Sequence, residues 1–156
     1  MTQLFVYKCR NDPQTHFAAY GDWETVFSSD ANIRWGGSWA TNSASSKRLF
    51  EEEIKKGDLI LAWQSDKRGA VGVCEVRRFE YTSRGQELVI RPIERFPSLV
   101  RLHELKKTTL PELQTVAALK QGNVATLYET SRDEARLLLT ACGSSHARRF
   151  ARRTKQ

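Results

Sequence analysis

A row of strand-forming segments in the middle of the chain constrains the fold more than any other feature of the sequence. Residues 58–64 (DLILAWQ) and 70–81 (AVGVCEVRRFEY) are rich in β-branched and aromatic residues, and only a short polar turn separates them. Residues 87–95 (ELVIRPIER) form a third segment, in which Pro92 indicates an edge strand or a break. Gly72, inside the second segment, indicates a β-bulge or the close approach of another backbone.

Helices and one more strand are predicted on either side of this row. The strongest helix signal covers residues 131–142, because Ser131 and Glu134 have capping-box spacing and Gly143 follows as a stop. Strands in the middle with helices on both sides predict an α+β domain built on a small, strongly bent sheet or barrel. The other predicted elements are a strand over 3–9, a short helix over 22–27, irregular chain over 31–41, helices over 45–56 and 109–120, and a short strand or helical turn over 100–105.

Composition is that of a globular domain. The 156 residues fit one domain, and 40% hydrophobic with 28% charged residues allow a packed core. Three widely spaced cysteines argue against a disulfide framework and for a reducing compartment. Residues 1–10 lack the pattern of a signal peptide, and no stretch reaches membrane-spanning length. We therefore expect a cytoplasmic monomer that does not enter a membrane.

Positive charge is concentrated at the end of the chain. Residues 146–156 contain five basic residues and no acid, so they carry most of the net charge of +7. Such a run attracts phosphate backbones without reading sequence. An isolated basic terminus is also typical of a disordered, solubilising tail. We therefore divide the chain into one domain over 1–145 and a basic tail over 146–156, and leave both interpretations of the tail open.

Tryptophans beside small polar residues indicate a ligand pocket. Trp35 and Trp39 are interleaved with Gly, Ser, Thr and Asn, and Trp63 is followed at once by Gln64 and Ser65. A flat ring with a short hydrogen-bonding neighbour suits a planar, base-sized ligand. Trp35 fits the plug of a barrel equally well. Trp63 alternates with leucines in its strand, which makes core packing a serious alternative for it.

The candidate site residues fall into two groups. One would hold a base between aromatic faces and read its polar edge, and the other would contact the phosphates. Lys67 and Arg68 are interpreted instead as a solvated hairpin tip. The base-pocket candidates are Trp35, Trp39, Asn42, Ser43, Trp63, Gln64 and Ser65, and the phosphate candidates are Lys47, Arg48, Arg148, Arg149, Arg152 and Arg153.

Short motifs along this region carry a family resemblance. They are Trp35-Gly36-Gly37, Trp39 to Leu49, Gly57-Asp58-Leu59-Ile60, Trp63-Gln64-Ser65 and Ala70-Val71-Gly72-Val73. In combination, from about residue 33 to 142, the chain resembles an EVE domain of the PUA-like superfamily, a family related to YTH domains. The resemblance implies a bent β-barrel of five to six strands with flanking helices. It also implies a reader that holds a modified, flipped-out base, above all a modified cytosine, in an aromatic pocket, beside an effector nuclease or modification enzyme as a candidate partner.

No pattern in the sequence indicates catalysis or a metal site. The three histidines are scattered, and the pair Cys142 and His146 falls short of the ligand set of a zinc site. Cys142 is better explained as the last apolar residue of its helix. We therefore expect a nucleic-acid-binding protein that is not an enzyme and has no cofactor. Two alternatives stay open: a PUA-like RNA-binding accessory of RNA modification or processing, and a small hydrolase of the same superfamily.

Overall fold

A computed structural model describes residues 2–9, 23–28, 33–36, 47–65, 67–82, 85–101 and 127–151. Of residues 33–36, 82, 85 and 86 it describes the backbone only. The helix predicted over 109–120 therefore lies outside the described residues.

Six strands of the described chain form one mixed sheet. Their order in the sheet is β2-β5-β4-β3-β1-β6, with β1 parallel to β3 and every other pair antiparallel. The bent α+β sheet of five to six strands with flanking helices, expected from the sequence, is thus confirmed. The strands are β1 (Leu4–Cys9), β2 (Ile33–Gly36), β3 (Leu59–Gln64), β4 (Gly69–Thr82), β5 (Gly85–Arg101) and β6 (Leu127–Glu129).

Register shifts along β4 bend the sheet. The pairing of β4 with β5 shifts between Ala70 and Gly72, between Val73 and Cys74 and again further along the strand. Extra residues of this kind bend a strand and increase its twist. Gly72 also lies at a close approach of neighbouring groups, since a Cβ atom there would be 2.2 Å from the carbonyl oxygen of Glu94 and 2.6 Å from the ring of Phe27. Gly72 therefore serves both functions that its position in the sequence indicated.

Two sequence predictions about strands are corrected. The separate element predicted over 100–105 is in part the end of β5, which continues to Arg101. Of the two alternatives for Pro92, the break is wrong and the edge position fits. Pro92 lies opposite Cys74 and next to a register shift, beyond the part of β5 that pairs with β2, where a missing N–H is tolerated. The irregular chain predicted over 31–41 contains β2, because the facing strand β5 supplies backbone partners that the glycine-rich local sequence does not reveal.

Two helices form where the sequence predicts them, and a third helix ends earlier than predicted. Helix α1 (Trp23–Phe27) and helix α2 (Arg132–Ala141) form where they were predicted, and α2 begins with the expected capping box of Ser131 and Glu134. The helix predicted over 45–56 ends early as a π-helix (Leu49–Glu53), because the backbone at Ile54 is extended. No helix among these described segments is long and apolar enough to cross a membrane.

A hydrophobic core lies on each face of the sheet. Successive side chains of a strand point to opposite faces, so β1 and β3 contribute to both cores. The α1-side core contains Phe5, Tyr7, Cys9, Trp23, Val26, Phe27, Leu49, Phe50, Ile54, Ile60, Ala62, Val71, Cys74, Val76, Leu88, Ile90 and Leu127. The α2-side core contains Leu4, Val6, Leu59, Leu61, Trp63, Ala70, Val73, Phe96, Ala135, Leu138, Leu139, Cys142 and Phe150.

The first part of the predicted basic tail is ordered. Residues Ser145–Phe150 form a 3-10 helix, and the side chain of Phe150 is only 1% exposed in the α2-side core. A disordered terminus is therefore wrong for residues 146–150. Residues 152–156 lie outside the described residues.

Candidate functional site

Trp63 and Gln64, two of the predicted pocket residues, lie on opposite faces of the sheet. The ring of Trp63 is 4% exposed and packs in the α2-side core. Gln64 is fully buried on the other face, where its Oε1 accepts a hydrogen bond of 2.9 Å from the backbone N–H of Trp23. The structure therefore does not bring these two side chains into one pocket.

The other predicted pocket residues are only partly described. Ser65 is half-buried, and its backbone N–H donates a hydrogen bond of 2.9 Å to the carbonyl of Cys9. The backbone of Trp35 lies in β2 opposite Leu88, a residue of the α1-side core. Trp39, Asn42 and Ser43 lie outside the described residues. The seven-residue pocket therefore stays a prediction.

Arg48, a predicted phosphate contact, is engaged by two carboxylates. Its guanidinium pairs with Glu53 and with Glu129 at 3.3 Å each, which links the segment of the π-helix to β6. A phosphate would have to compete with both partners, although surface ion pairs of this kind contribute little free energy. The role of Arg48 as a phosphate contact stays a prediction.

The remaining phosphate candidates are placed on the surface or not described. Lys47 is exposed, immediately before Arg48 in the chain. Arg148 and Arg149 are exposed on the 3-10 helix. Arg152 and Arg153 lie outside the described residues.

Tyr7 is a buried polar residue that the sequence did not single out. Its hydroxyl oxygen Oη has no hydrogen-bond partner among the described residues, although the side chain is completely buried. The ring of Trp23 stands edge-on to it, at 5.7 Å between centroids and an interplanar angle of 86°. Burial raises the pKa of Tyr7 well above its usual value, so the phenol remains a neutral hydrogen-bond donor. Alternation along β1 predicts only that Tyr7 is in the core, and nothing in the sequence shows the missing partner.

Lys8, next to Tyr7 in β1, faces the opposite side of the sheet. Its Nζ lies 4.8 Å from the centroid of the Tyr128 ring, and its position in β1 is paired with Trp63 of β3. Burial lowers the pKa of Lys8 to about 8. A cation that is poorly hydrated in this way is favoured by contact with a ring face or with an anion.

The Gly57-Asp58 motif has a structural role. The carboxylate of Asp58 is buried and accepts hydrogen bonds from two backbone N–H groups, at 3.0 Å from Gln3 and at 2.8 Å from Lys55. Gly57 has the left-handed φ of +91° that this turn requires. The motif therefore joins the turn after the π-helix to the start of β1.

The described residues hold no group of three or more His, Cys, Asp or Glu side chains that could bind a metal ion. The three cysteines are free and buried. Burial, with the nearby carboxylate of Glu94, raises the pKa of the Cys142 thiol to about 12. Cys142 caps the end of α2 and is a core residue, as predicted.

Comparison with known proteins gives the family. The sequence profile of the EVE domain matches residues 22–141, most of the chain. The chain belongs to the EVE domain family. The motifs from Trp35 to Val73 thus carried the correct resemblance. No curated protein matches this EVE domain in sequence.

Several solved structures share the fold of this EVE domain. A crystal structure of an Agrobacterium tumefaciens protein has a TM-score of 0.65 at 18% identity, covering 91% of this chain and 92% of that one. Human THYN1, in complex with DNA that contains 5-methylcytosine, has a TM-score of 0.63 at 12% identity, covering 92% and 99%. The YTH domain of Zygosaccharomyces rouxii MRB1, in complex with N6-methyladenosine RNA, has a TM-score of 0.55 at 19% identity, covering 90% and 86%.

Proposed function

We propose that this EVE domain binds nucleic acid carrying a modified base and holds that base flipped out of its stack, with 5-methylcytosine the first candidate. The observation that carries the proposal is that two proteins of the same fold, THYN1 and the MRB1 YTH domain, are each bound to a methylated nucleic acid. Both alignments span nine-tenths or more of this chain. The family profile supports the same assignment.

The energetics of reading a base favour an aromatic site. Extruding a base from its stack costs a few kcal/mol, and least where the strand is already single. Stacking on one aromatic face returns about 1–3 kcal/mol. One ring therefore nearly balances the cost, and hydrogen bonds to the base edge make binding favourable. We assign the stacking face to Trp39, because its neighbours in the sequence are small or polar and Trp63 is enclosed in the α2-side core.

We place the side chains that form hydrogen bonds with the edge of the base on the α1 side of the sheet. Tyr7 and Gln64 point to this side near the carboxyl ends of the parallel pair β1 and β3, and both contact Trp23. A buried hydroxyl without a hydrogen-bond partner costs about 1–3 kcal/mol. A base that offers an acceptor to Tyr7 Oη recovers that free energy, so we propose Tyr7 as a donor to the bound base. A base lacking such an acceptor would be disfavoured.

The test is a titration with matched oligonucleotides. Wild-type protein is titrated with DNA containing 5-methylcytosine or cytosine, and with RNA containing N6-methyladenosine or adenosine. We expect one methylated form to bind at least about tenfold more tightly than its unmodified partner, a difference of about 1.4 kcal/mol. Equal affinity within each pair would refute the proposal. The better of the DNA and RNA pairs identifies the nucleic acid.

Three variants locate the pocket. Trp39→Ala should remain folded and lose about 1–3 kcal/mol of binding free energy, the value of one stacking face. Tyr7→Phe keeps the ring and removes only Oη, so the affinity for the oligonucleotide should fall while the melting temperature does not. The matched control is Tyr81→Phe, which removes a hydroxyl from a side chain that is 82% exposed and should change neither quantity. A Tyr7→Phe protein with wild-type affinity would exclude the hydroxyl from the site.

A further inference from the structure

The turn between β3 and β4 carries two cations that lack, within the described chain, the carboxylate partners of several arginines in the sheet and the helices. Lys67 and Arg68 are exposed, and neither forms an ion pair with another described residue. A cation that is already neutralised gains little from a phosphate, whereas one without an anionic partner gains the full interaction. Among the ion pairs between described residues, carboxylates pair with Arg48, Arg77, Arg78, Arg95 and Arg136.

Backbone hydrogen bonds hold Lys67 and Arg68 in place. The N–H groups of Lys67 and Arg68 donate to the carbonyls of Gln64 and Ser65, at 3.1 and 3.2 Å. Arg68 has a φ of 51°, in the left-handed region that non-glycine residues seldom occupy. A side chain held there against its own preference indicates a constraint from the surrounding structure or from function.

The end of β5 brings a third cation to the turn. Gly69 lies directly opposite Arg101, which is exposed. The two strands are in close contact here, because a Cβ atom on Gly69 would be 2.7 Å from the side chain of Leu99 and 3.0 Å from the carbonyl oxygen of Val100. Asp66 is the one acid in the turn, so the turn together with Arg101 has an excess of positive charge.

The turn adjoins a residue of the predicted base pocket, and the neighbouring strand β5 packs on the same core as the helix that carries predicted phosphate contacts. The turn begins at Ser65, a predicted pocket residue, directly after the buried Gln64. On its other side, Val100 packs on the same α2-side core as Ala147 of the 3-10 helix. Ala147 precedes the exposed Arg148 and Arg149 in that helix. Strand β5 and the 3-10 helix, which both carry exposed arginines, thus pack on one core.

We propose that Lys67, Arg68 and Arg101 form a phosphate-binding site that holds the nucleic-acid backbone next to the base pocket predicted to include Ser65. The inference rests on the proposed function, since it names how the same nucleic acid is held. Contacts to phosphates set the position of a strand and supply affinity, but they do not read the base. The site should therefore determine the salt dependence of binding without altering the preference for a modified base.

The experiment compares the two cations of the turn with two cations of β4. Lys67→Gln/Arg68→Gln removes the two charges of the turn, and Lys67→Arg/Arg68→Lys keeps both. The matched control is Arg77→Gln/Arg78→Gln, which removes a half-buried and an exposed charge that are paired with Glu75 and Glu80. Each protein is titrated with a single-stranded DNA of about 12 nucleotides, with 5-methylcytosine or cytosine at one position, between about 50 and 200 mM NaCl. Melting curves establish that every variant is folded.

The expected result is a specific change in the salt slope. Lys67→Gln/Arg68→Gln should reduce the slope of log affinity against log salt concentration by about 0.7 for each lost contact. The charge-keeping variant and the Arg77 and Arg78 control should have the wild-type slope. An equal change in the turn variant and in the control, or no change in either, overturns the phosphate site. If the turn variant does not fold, Arg101→Gln takes its place, and an unchanged slope for it has the same meaning.

The same data separate this inference from the proposed function. A reduced slope together with equal affinity for the modified and unmodified DNA supports the phosphate site and refutes recognition of 5-methylcytosine. A wild-type slope in the turn variant, with the modified DNA still preferred, refutes the site alone. No binding of either DNA by the wild-type protein at about 50 mM salt overturns the phosphate site together with the recognition of 5-methylcytosine in DNA.

Discussion

The guanidinium of Arg132 lies over the ring of Phe150, 5.9 Å from its centroid, and donates hydrogen bonds to the carbonyls of Arg149 and Ala151 at 3.1 and 3.2 Å. One side chain of α2 thus fixes the end of the 3-10 helix. The hydroxyl of Ser144 donates to the carboxylate of Glu94 and fixes its start to β5. The first arginines of the basic run are therefore held on an ordered element.

We expect substitutions at this contact to destabilise the protein. Phe150→Ala removes a buried ring and should lower the free energy of unfolding by about 3–5 kcal/mol. Arg132→Gln loses the cation–π contact and the hydrogen bonds to two carbonyls, and should lower it by about 1–2 kcal/mol. Urea denaturation measures both. The control Arg148→Gln changes an exposed side chain of the same helix and should stay within about 0.5 kcal/mol of wild type. An Arg132→Gln protein as stable as this control would show that the contact does not stabilise the fold.

Two glycines should respond to alanine for different reasons. In Gly72→Ala the new methyl group would overlap the carbonyl oxygen of Glu94 at 2.2 Å, and that backbone cannot move without disturbing the β4–β5 pairing. We expect a loss of about 3 kcal/mol or more. In Gly57→Ala the space is open and the cost comes only from φ +91°, for which we expect about 1–2 kcal/mol. Equal losses in denaturant unfolding would mean that steric overlap at Gly72 is relieved cheaply.

Most strands of this fold could be predicted from the sequence, because in those segments the local pattern and the tertiary contacts favour the same structure. The segments for β1, β3 and β4 lie within one residue of their observed bounds, since buried strands keep their apolar runs and end at polar turns. Disagreement arises where a distant residue decides the structure. Strand β2 exists because β5 lies beside it, and the π-helix ends at Ile54, whose side chain is buried in the α1-side core.

The candidate site could be predicted from the sequence less well than the strands. Trp63 and Gln64 are neighbours in sequence, and only their alternation in β3 puts them on opposite faces. The absence of a hydrogen-bond partner for Tyr7 among the described residues depends on every side chain that packs around it. Arg48 looks like a phosphate contact in the sequence because its partner Glu129 is far along the chain. Composition identifies cations and aromatic rings, but not which of them the fold has already engaged.

Asp58→Asn should test the structural role of the Gly57-Asp58 motif. Asparagine keeps one acceptor oxygen but turns an NH₂ group toward either the N–H of Gln3 or that of Lys55, both of which are donors. We expect a loss of about 1–3 kcal/mol in the free energy of unfolding. Nucleic-acid affinity measured well below the melting temperature should not change. Glu51→Gln, an exposed substitution, is the control, and a decrease in affinity with unchanged stability would place Asp58 in the binding site instead.

Lys8 should make stability depend on pH. Because burial lowers its folded-state pKa to about 8 from a usual 10.5, the unfolded chain binds more protons between these values, and stability should rise with pH across that window. Lys8→Met should remove this rise and stabilise the protein at pH 7 by about 1 kcal/mol, after allowance for partial exposure. The raised pKa of Cys142 acts in the opposite direction above pH 9, so the measured quantity is the difference between the unfolding curves of wild type and variant. Lys47→Met serves as the exposed control. An unchanged slope in Lys8→Met would mean that Lys8 is fully hydrated in the folded protein.

Substitutions of Trp63 distinguish two roles of its side chain, core packing and base stacking. Because the ring is enclosed in the α2-side core with Leu61 and Phe96, Trp63→Ala should lower the free energy of unfolding by about 3–5 kcal/mol. Trp63→Phe retains an apolar ring and should be folded well enough for titration, with the affinity for the modified oligonucleotide within about twofold of wild type, or 0.4 kcal/mol. Trp39→Ala should show the reverse, a loss of binding with little change in melting temperature. If Trp63→Phe instead loses about 1–3 kcal/mol of binding free energy while its melting curve stays close to that of wild type, then the base reaches the α2 side of the sheet. The stacking face would in that case be Trp63, and the opening of the α2-side core would be part of recognition.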